Sequence, residues 1–181
     1  MIKGKKHFAL KIVTTGDGGV GKTTLLHKYV NNKFIEDTSM TIGVQIHSKR
    51  ITVGEYTITL QIWDFGGQDR FRFILPNYML GCKGALLLFD LTRMASTFNL
   101  EESWLSIIKK AVPDLPVVLL GTKKDMVQDG MPTFDPNFGP EFVQKHKLEG
   151  YLEVSSKTGE NVENAFQLLT RKILEKSGIV M

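Results

Sequence analysis

Apolar and polar positions along this chain follow two different periods. Residues 85–89 and 116–120 are continuous apolar runs, which are typical of central parallel strands covered on both faces. Residues 56–64 alternate apolar with polar side chains and, with residues 44–53, flank a two-residue connection at Gly54-Glu55. This arrangement predicts a β-hairpin with one buried face.

Helical spacing of apolar residues marks three other stretches, at 24–30, 97–111 and 161–176. Thr97 is placed to cap the second of these helices. We also expect a short helix that is broken near Pro76. Another short helix should begin at Glu141, after an irregular segment rich in proline.

Strands that alternate with helices after an opening hairpin predict an α/β fold. Further apolar stretches at 8–13 and 151–154 bring the expected sheet to six strands. We expect a mostly parallel sheet with one antiparallel edge strand and helices on both faces. Ligands should bind at the carboxyl ends of the strands.

Composition sets limits on the class of protein. The 181 residues, 42% of them hydrophobic, are enough for one domain with a proper core. The net charge is +4, but the lysines and arginines are interspersed with acidic residues along the chain, so nucleic-acid binding is not expected. Cys82 is the single cysteine, which excludes an intramolecular disulfide and fits a reducing compartment.

Targeting signals are not evident in the sequence. No apolar run reaches the roughly 18 residues of a membrane span, so a soluble, cytoplasmic protein is expected. Ile2 and the cysteine-free last five residues predict that no lipid anchor is encoded. Lys3, Lys5 and Lys6 would give at most weak contact with a membrane surface.

Residues 16–23 read Gly-Asp-Gly-Gly-Val-Gly-Lys-Thr, the phosphate-binding pattern of a P-loop. Its glycines let successive N–H groups turn towards a polyphosphate, Lys22 adds a charge, and the Thr23 hydroxyl suits Mg²⁺. A simple glycine-rich turn is the alternative, but the predicted strand before the loop and helix after it favour phosphate binding. The predicted phosphate-binding residues in this segment are Asp17, Gly18, Gly19, Val20, Gly21, Lys22, Thr23 and Thr24.

A second group of candidate residues begins at Asp64, where a strand ends. Its carboxylate can hold Mg²⁺ through water, and Gly67 has an N–H that can meet a γ-phosphate. Gln68 could orient the attacking water. We therefore expect Gln68, Lys22 and Gly67 to be the catalytic residues.

With these motifs in order, the chain resembles a small GTPase of the Ras superfamily, nearest to the Rab branch, over residues 7–176. Thr41-Ile42-Gly43-Val44 resembles the family's first switch, whose threonine coordinates Mg²⁺. Residues 63–72 are similar to the second switch, although residues 65–67 are nearer to its Arf-like version. Residues 1–6 and 177–181 would be short flanking segments of this P-loop NTPase (G) domain.

The resemblance also implies a guanine site. The family's aspartate, here Asp125, accepts from guanine N1 and N2, and the stem of Lys123 lies over the base. A backbone N–H of Ser156 would meet guanine O6, and Phe34 would stack edgewise on the ring. The expected guanine-binding residues are Phe34, Thr122, Lys123, Asp125, Ser155, Ser156 and Lys157.

Three residues depart from the family pattern. Thr122 stands where the family has asparagine, which costs an amide that bonds the base and ties this loop to the phosphate loop. Thr38 replaces a tyrosine that closes over the phosphates, and Ile46 replaces a phenylalanine of the Rab partner surface. The expected partner surface comprises Ile42, Gly43, Val44, Ile46, Trp63, Phe71 and Tyr78.

These features together predict a monomeric GTP-binding switch that hydrolyses GTP to GDP with Mg²⁺. Residues 31–41 contain no arginine, so hydrolysis should be slow without a GTPase-activating partner. Exchange factors and effectors would be the other partners. Two alternatives remain at this point, namely a P-loop nucleoside or nucleotide kinase and a nucleotide-bound scaffold that does not hydrolyse.

Overall fold

The structure is a computed structural model that describes residues 6–35, 40–67, 72–127 and 135–179. A six-stranded sheet in the order β2-β3-β1-β4-β5-β6 lies at its centre, with β2 antiparallel to β3 and the other neighbours parallel. This confirms the predicted fold class. The strands are β1 (Lys6–Thr15), β2 (Val44–Val53), β3 (Tyr56–Phe65), β4 (Gly84–Asp90), β5 (Val117–Thr122) and β6 (Gly150–Glu153).

Helices connect the parallel strands. The α-helices are α1 (Lys22–Asn31), α2 (Leu75–Tyr78), α3 (Ser106–Ala111), α4 (Phe138–His146) and α5 (Val162–Lys176). A 3₁₀ turn at Met94–Thr97 precedes a π-helical turn at Leu100–Leu105, which runs directly into α3, and a second 3₁₀ turn spans Lys124–Met126. None of the helices in the described ranges has the length and apolar content that spanning a bilayer requires.

Two hydrophobic clusters cover the two faces of the sheet. Helices α1 and α5 pack on one face, where the rings of Tyr29 and Phe166 stack 3.6 Å apart. Helices α2, α3 and α4 cover the other face, around the fully buried Phe65 and Trp104. The apolar stripes predicted from helical spacing are therefore core.

Several boundaries differ from the sequence-based predictions. Thr97 does not cap the following helix, because its hydroxyl bonds to the Met94 carbonyl of its own 3₁₀ turn. Pro76 lies in the first turn of α2 and so begins the helix instead of breaking it, since a first-turn residue needs no N–H partner. Helix α4 begins at Phe138, three residues before Glu141, on a turn closed by the Asp135 carbonyl.

Strand β1 was predicted to be buried from residue 8, but Ala9 is exposed. The reason is that β4 pairs with β1 only from Ile12 onwards, so that the first half of β1 has β3 as its one neighbour in the described sheet. From Ile12 to Thr15 the strand is buried. The part that leads into the phosphate loop is therefore the part that is buried between two neighbouring strands.

The carboxyl ends of the strands gather the predicted motifs. The phosphate loop follows β1, and the register aligns Thr14 with Asp64 and Asp90 with Thr122. Ser155 lies just beyond β6. Motifs that are far apart in sequence thus meet along one edge of the sheet, where α/β proteins bind ligands.

Candidate active site

The phosphate loop, residues 16–21, joins β1 to α1. Gly16, Gly19 and Gly21 have φ values of +134°, +75° and +90°, a region that favours glycine. At Gly16 a Cβ would also lie 2.3 Å from the Leu88 carbonyl oxygen, so no side chain fits. The backbone therefore requires glycine for the turn itself.

Lys22 is the first residue of α1, and its side chain is almost fully buried inside this loop. Its Nζ donates to the carbonyl oxygens of Gly16 at 2.7 Å and Asp17 at 2.8 Å. Burial lowers the pKa of Lys22 to about 8, and the nearby carboxylates of Asp64 and Asp17 oppose that shift. The ammonium group is thus positioned where a phosphate would stabilise its charged form.

Thr23, Thr41 and Asp64, the predicted magnesium ligands, converge beside Lys22. The Thr23 hydroxyl donates to Asp64 Oδ2 at 2.6 Å, so the Thr41 hydroxyl, 2.7 Å away, must donate to Thr23. The buried Asp64 also accepts from Thr14 at 3.0 Å through Oδ1. These hard oxygen donors fit Mg²⁺, which binds to one or two carboxylates and completes its shell with water and phosphate.

Gly67 lies directly against the phosphate loop. A Cβ on Gly67 would be 2.4 Å from both Asp17 C and Gly18 N, so only glycine allows this approach. Gly18, by contrast, has room, because the nearest atom to its added Cβ would be the Gly67 oxygen at 3.8 Å. Gln68 lies outside the described residues, and so does Thr38.

A cavity of about 340 Å³ adjoins the phosphate loop and contains most of the predicted guanine-binding residues. Ser155 is buried behind it and donates to Asp125 Oδ1 at 2.6 Å, which fixes that carboxylate. Sequence analysis did not anticipate Met126, and it placed Thr24 with the phosphates. The cavity is lined by Thr24, Phe34, Thr122, Lys123, Asp125, Met126, Ser156 and Lys157.

Thr122 does connect the base loop to the phosphate loop, contrary to the expectation from its departure from asparagine. Its hydroxyl lies 2.7 Å from the Val20 carbonyl oxygen and 2.9 Å from that of Phe89. A hydroxyl has one proton, so these two main-chain acceptors share it. Thr122 therefore links the base loop to the phosphate loop, and its single hydroxyl proton is used in hydrogen bonds within the protein.

Asp90 is a residue of the site that the sequence reasoning missed. Its Oδ2 lies 2.7 Å from Lys123 Nζ, and Oδ1 accepts from both the N–H and the hydroxyl of Thr92. Burial would raise the pKa of Asp90, but the hydrogen bonds from Lys123 and Thr92 outweigh burial and keep that pKa below its ordinary value. The sequence feature that could have identified Asp90 is its position as the one carboxylate at the end of an otherwise apolar strand.

The Asp17 side chain points towards Arg72, Asn99 and Trp104. Its carboxylate accepts three hydrogen bonds, from Arg72 at 2.9 Å, Trp104 at 2.7 Å and Asn99 at 2.9 Å. The π-helical turn makes this possible. The backbone N–H of Trp104 bonds to the carbonyl of Asn99, five residues earlier, and this wider turn brings the side chains of Asn99 and Trp104 to the same side of the helix. Asp17 thus anchors the phosphate loop to the end of the second switch and to the π-helical turn.

Six of the seven predicted partner-surface residues lie in the described ranges and are neighbours; Phe71 lies outside them. Ile42 and Ile46 are 76% and 59% exposed, and Ile46 pairs with Trp63 across the hairpin. The ring of Trp63 lies 5.7 Å from that of Tyr78. Val44 begins β2, and the Gly43 carbonyl before it accepts the Gly66 N–H at 3.0 Å, so the two switch segments touch.

Comparison with known proteins agrees with this geometry. The sequence model of the Ras family matches residues 11–175. The chain is 42% identical over 170 residues to the Ras-related protein Rab-4B of Rattus norvegicus, covering 93% of this chain and 78% of that protein. The Ras-related protein Rab-4A of Homo sapiens is also 42% identical, and the match covers 93% of this chain and 76% of that protein. Rab-4A of Danio rerio is 41% identical, and the match covers 93% of this chain and 78% of that protein.

These findings do not favour a nucleoside or nucleotide kinase. A family match across residues 11–175 spans the phosphate loop, both switch segments and the base-binding loops. The chain therefore belongs to the Ras family, and it is a Rab-like GTP-binding switch that hydrolyses GTP.

Proposed function

We propose that GTP lies along the carboxyl edge of the sheet, with its phosphates in residues 16–24 and its base in the 340 Å³ cavity. The observation that carries this proposal is the convergence of Thr23, Thr41 and Asp64 beside the buried Lys22. Such a set of oxygens next to a phosphate loop suits a polyphosphate and its cation. The Thr122 bond to Val20 makes the loop and the cavity one continuous site.

Thr23 and Thr41 would bind Mg²⁺ directly and Asp64 through water. When bound, the ion supplies positive charge that offsets the charge developing on the transferred phosphoryl group. Lys22 would stabilise the same charge, and the N–H of Gly67, a residue that packs against the loop, would meet the γ-phosphate. Gln68 aims the attacking water, so positioning and charge provide the catalysis.

The base end would discriminate guanine through Asp125. Its carboxylate, held by Ser155, accepts from guanine N1 and N2, a pair of donors that adenine lacks. The ion pair with Asp90 holds the stem of Lys123 along the base. Phe34 and Lys157 line the sides of the cavity, and Ser156 presents its N–H to guanine O6.

Substitution of Asp125 tests the base assignment. Asp125→Asn replaces two acceptor oxygens by an acceptor and a donor, so preference should shift from GTP towards XTP, whose C2 carbonyl needs a donor. A competition assay with both nucleotides measures this shift. Asp114→Asn, the same change at an exposed position on another loop, is the matched control. Unchanged GTP preference in Asp125→Asn would contradict the assignment.

Substitution of Gln68 tests the catalytic assignment. Gln68→Leu should leave GTP affinity near that of the wild type and reduce single-turnover hydrolysis, because the amide meets the water and not the nucleotide. Gln61→Leu makes the same change on the exposed side of β3 and should be silent. Hydrolysis at the wild-type rate in Gln68→Leu, alone and with an activating protein, would remove Gln68 from the mechanism.

We further propose that activating, exchange and effector proteins bind to the apolar surface around Ile42, Ile46 and Tyr78, which is exposed next to both switch segments. An arginine supplied by a partner is worth about 10³–10⁵ in rate. The second switch would begin in the Arf-like manner, because the Phe65 side chain is buried against Tyr78, with ring centroids 5.6 Å apart. That anchor leaves Gly66 and Gly67 to respond to the nucleotide.

A further inference from the structure

Arg93 reaches the phosphate loop from the solvent side. Its Nη2 donates to the Gly18 carbonyl oxygen at 2.7 Å, and the same nitrogen lies 4.0 Å from the position of a Cβ on Gly19. Lys22 takes the two preceding carbonyls, of Gly16 and Asp17, from the buried interior. Three consecutive carbonyls of the loop therefore accept hydrogen bonds from two different cations, of which Lys22 is buried and Arg93 is exposed.

The arginine is held by a rigid turn. The Arg93 N–H donates to the Asp90 carbonyl at 3.0 Å, and the Arg93 carbonyl accepts from both the N–H and the hydroxyl of Ser96. Ser96 is 1% exposed, and its hydroxyl also accepts from the Asp90 N–H at 2.9 Å. The side chain thus extends from a fixed backbone position although the residue itself is exposed.

The peptide between Gly18 and Gly19 has two possible orientations. A trans peptide is planar, so its C=O and N–H point in opposite directions. With the Gly18 carbonyl turned to Arg93, the Gly19 N–H of the same peptide points away from Arg93. Glycine on both sides makes a flip of this peptide easy, and a flip would turn the carbonyl towards the anion.

We infer that Arg93 is a positioning residue that holds the Gly18–Gly19 peptide with its N–H towards the phosphates. This inference rests on the proposed function, because it needs a phosphate in the loop. The guanidinium acts through the peptide and does not touch the nucleotide. Its charge-assisted bond to the carbonyl also polarises the peptide, which makes the Gly19 N–H a stronger donor.

Nucleotide kinetics test the inference. In Arg93→Met, which keeps the length and loses the donors, GDP should dissociate about two- to tenfold faster, as expected for the loss of one net hydrogen bond. Single-turnover GTP hydrolysis should fall by a similar factor. Arg93→Lys keeps one charged donor and should recover at least part of both losses. Arg171→Met, on the exposed face of α5, is the control for removing one positive charge.

The amide resonance of Gly19 separates positioning from surface charge. In ¹⁵N-glycine-labelled protein with GDP and Mg²⁺, Arg93→Met should move the Gly19 amide proton upfield and leave that of the distant Gly54 unchanged. Wild-type GDP release in Arg93→Met, faster release with an unmoved Gly19 amide, or an equal effect of Arg171→Met would each overturn the inference. Failure of the wild-type protein to bind GDP would instead overturn the proposed function, and the inference with it.

Discussion

At the scale of single residues, the charge on Lys22 depends on what the phosphate loop contains. Burial lowers its pKa to about 8 in the folded protein, while an unfolded lysine titrates near 10.5. Between these values the unfolded chain holds one more proton, so the contribution of Lys22 to stability improves as pH rises from 8 to 10.5. A bound phosphate would favour the charged form of Lys22 and so oppose the effect of burial on its pKa.

We therefore predict that GDP binding takes up protons above pH 8. Affinity should fall as pH rises further, by at most about tenfold per unit, because the free protein must first regain the proton on Lys22. Calorimetric titration at pH 9 in two buffers of different ionisation enthalpy measures the uptake. In Lys22→Arg, the arginine does not titrate in this range, so this side chain should contribute no proton uptake on GDP binding. No uptake by the wild-type protein would contradict the prediction.

Thr122 should stabilise the site from within. Thr122→Val keeps the shape but leaves the Val20 and Phe89 carbonyl oxygens without this donor at a position that is 2% exposed. We expect a loss of about 1–3 kcal/mol in the free energy of unfolding, together with faster GDP release. Urea denaturation and stopped-flow release of a fluorescent GDP analogue measure the two effects. Thr122→Ser keeps the hydroxyl, and an equal loss there would point to packing instead.

At the scale of secondary-structure elements, the π-helical turn connects the phosphate loop to the second switch. Arg72 is the last residue of the second switch, and its guanidinium lies over the Trp104 ring at 4.9 Å while it bonds to Asp17. Trp104 therefore supports Asp17 directly through its N–H and indirectly through Arg72. An ordinary α-helical turn would carry Asn99 away from Trp104.

Trp104→Phe is expected to weaken this connection. The substitution keeps an aromatic core side chain but removes the N–H that donates to a carboxylate, a bond worth about 1.5–3 kcal/mol. The free energy of unfolding in urea should fall by roughly that amount. A double-mutant cycle with Asp17→Asn should show coupling between the two sites.

The chain offers a matched control for this substitution. Trp63 is less buried than Trp104, and its indole N–H has no hydrogen-bond partner among the described residues. Trp63→Phe should therefore lose much less stability than Trp104→Phe. Equal losses would show that ring size, and not the N–H, accounts for the effect.

At the scale of the whole molecule, the site joins both halves of the sheet. The phosphate loop follows β1, Asp64 belongs to β3, and the base loops follow β5 and β6. A ligand that contacts all of them binds only the folded chain. Its binding energy is therefore added to the stability of the whole domain.

We predict that GDP with Mg²⁺ raises the melting temperature. At about 100 times the dissociation constant, the gain is about 2.7 kcal/mol, which corresponds to roughly 5–10 °C for a domain of this size. Circular dichroism melts measure the shift. ADP at the same concentration is the ligand control, and an equal shift with ADP would contradict guanine selectivity. Chelation of Mg²⁺ should reduce the effect of GDP.

The sequence predicted those parts of the molecule that depend on local patterns. The six strands and the helices on both faces of the sheet followed from apolar periodicity, and the phosphate loop from its glycines. The hydrogen bonds of Asp17 with Arg72, Asn99 and Trp104 did not, because they span 55 to 87 residues and no local sequence pattern links these side chains. The Thr122 bond was missed for a related reason, since its partners are backbone carbonyls that every sequence contains.

The π-helical turn at Leu100–Leu105 also bears on how this chain tolerates insertions and deletions. A π turn closes its hydrogen bond over one residue more than an α turn. Deleting one residue between Asn99 and Trp104 would restore regular helix and place these side chains four residues apart, about 40° apart around the helix axis, so both could still face Asp17. With the present spacing of five residues, a regular α-helix would instead separate the two side chains by about 140°, so the bond from Asn99 to a loop 82 residues earlier depends on the extra residue being accommodated as a π turn.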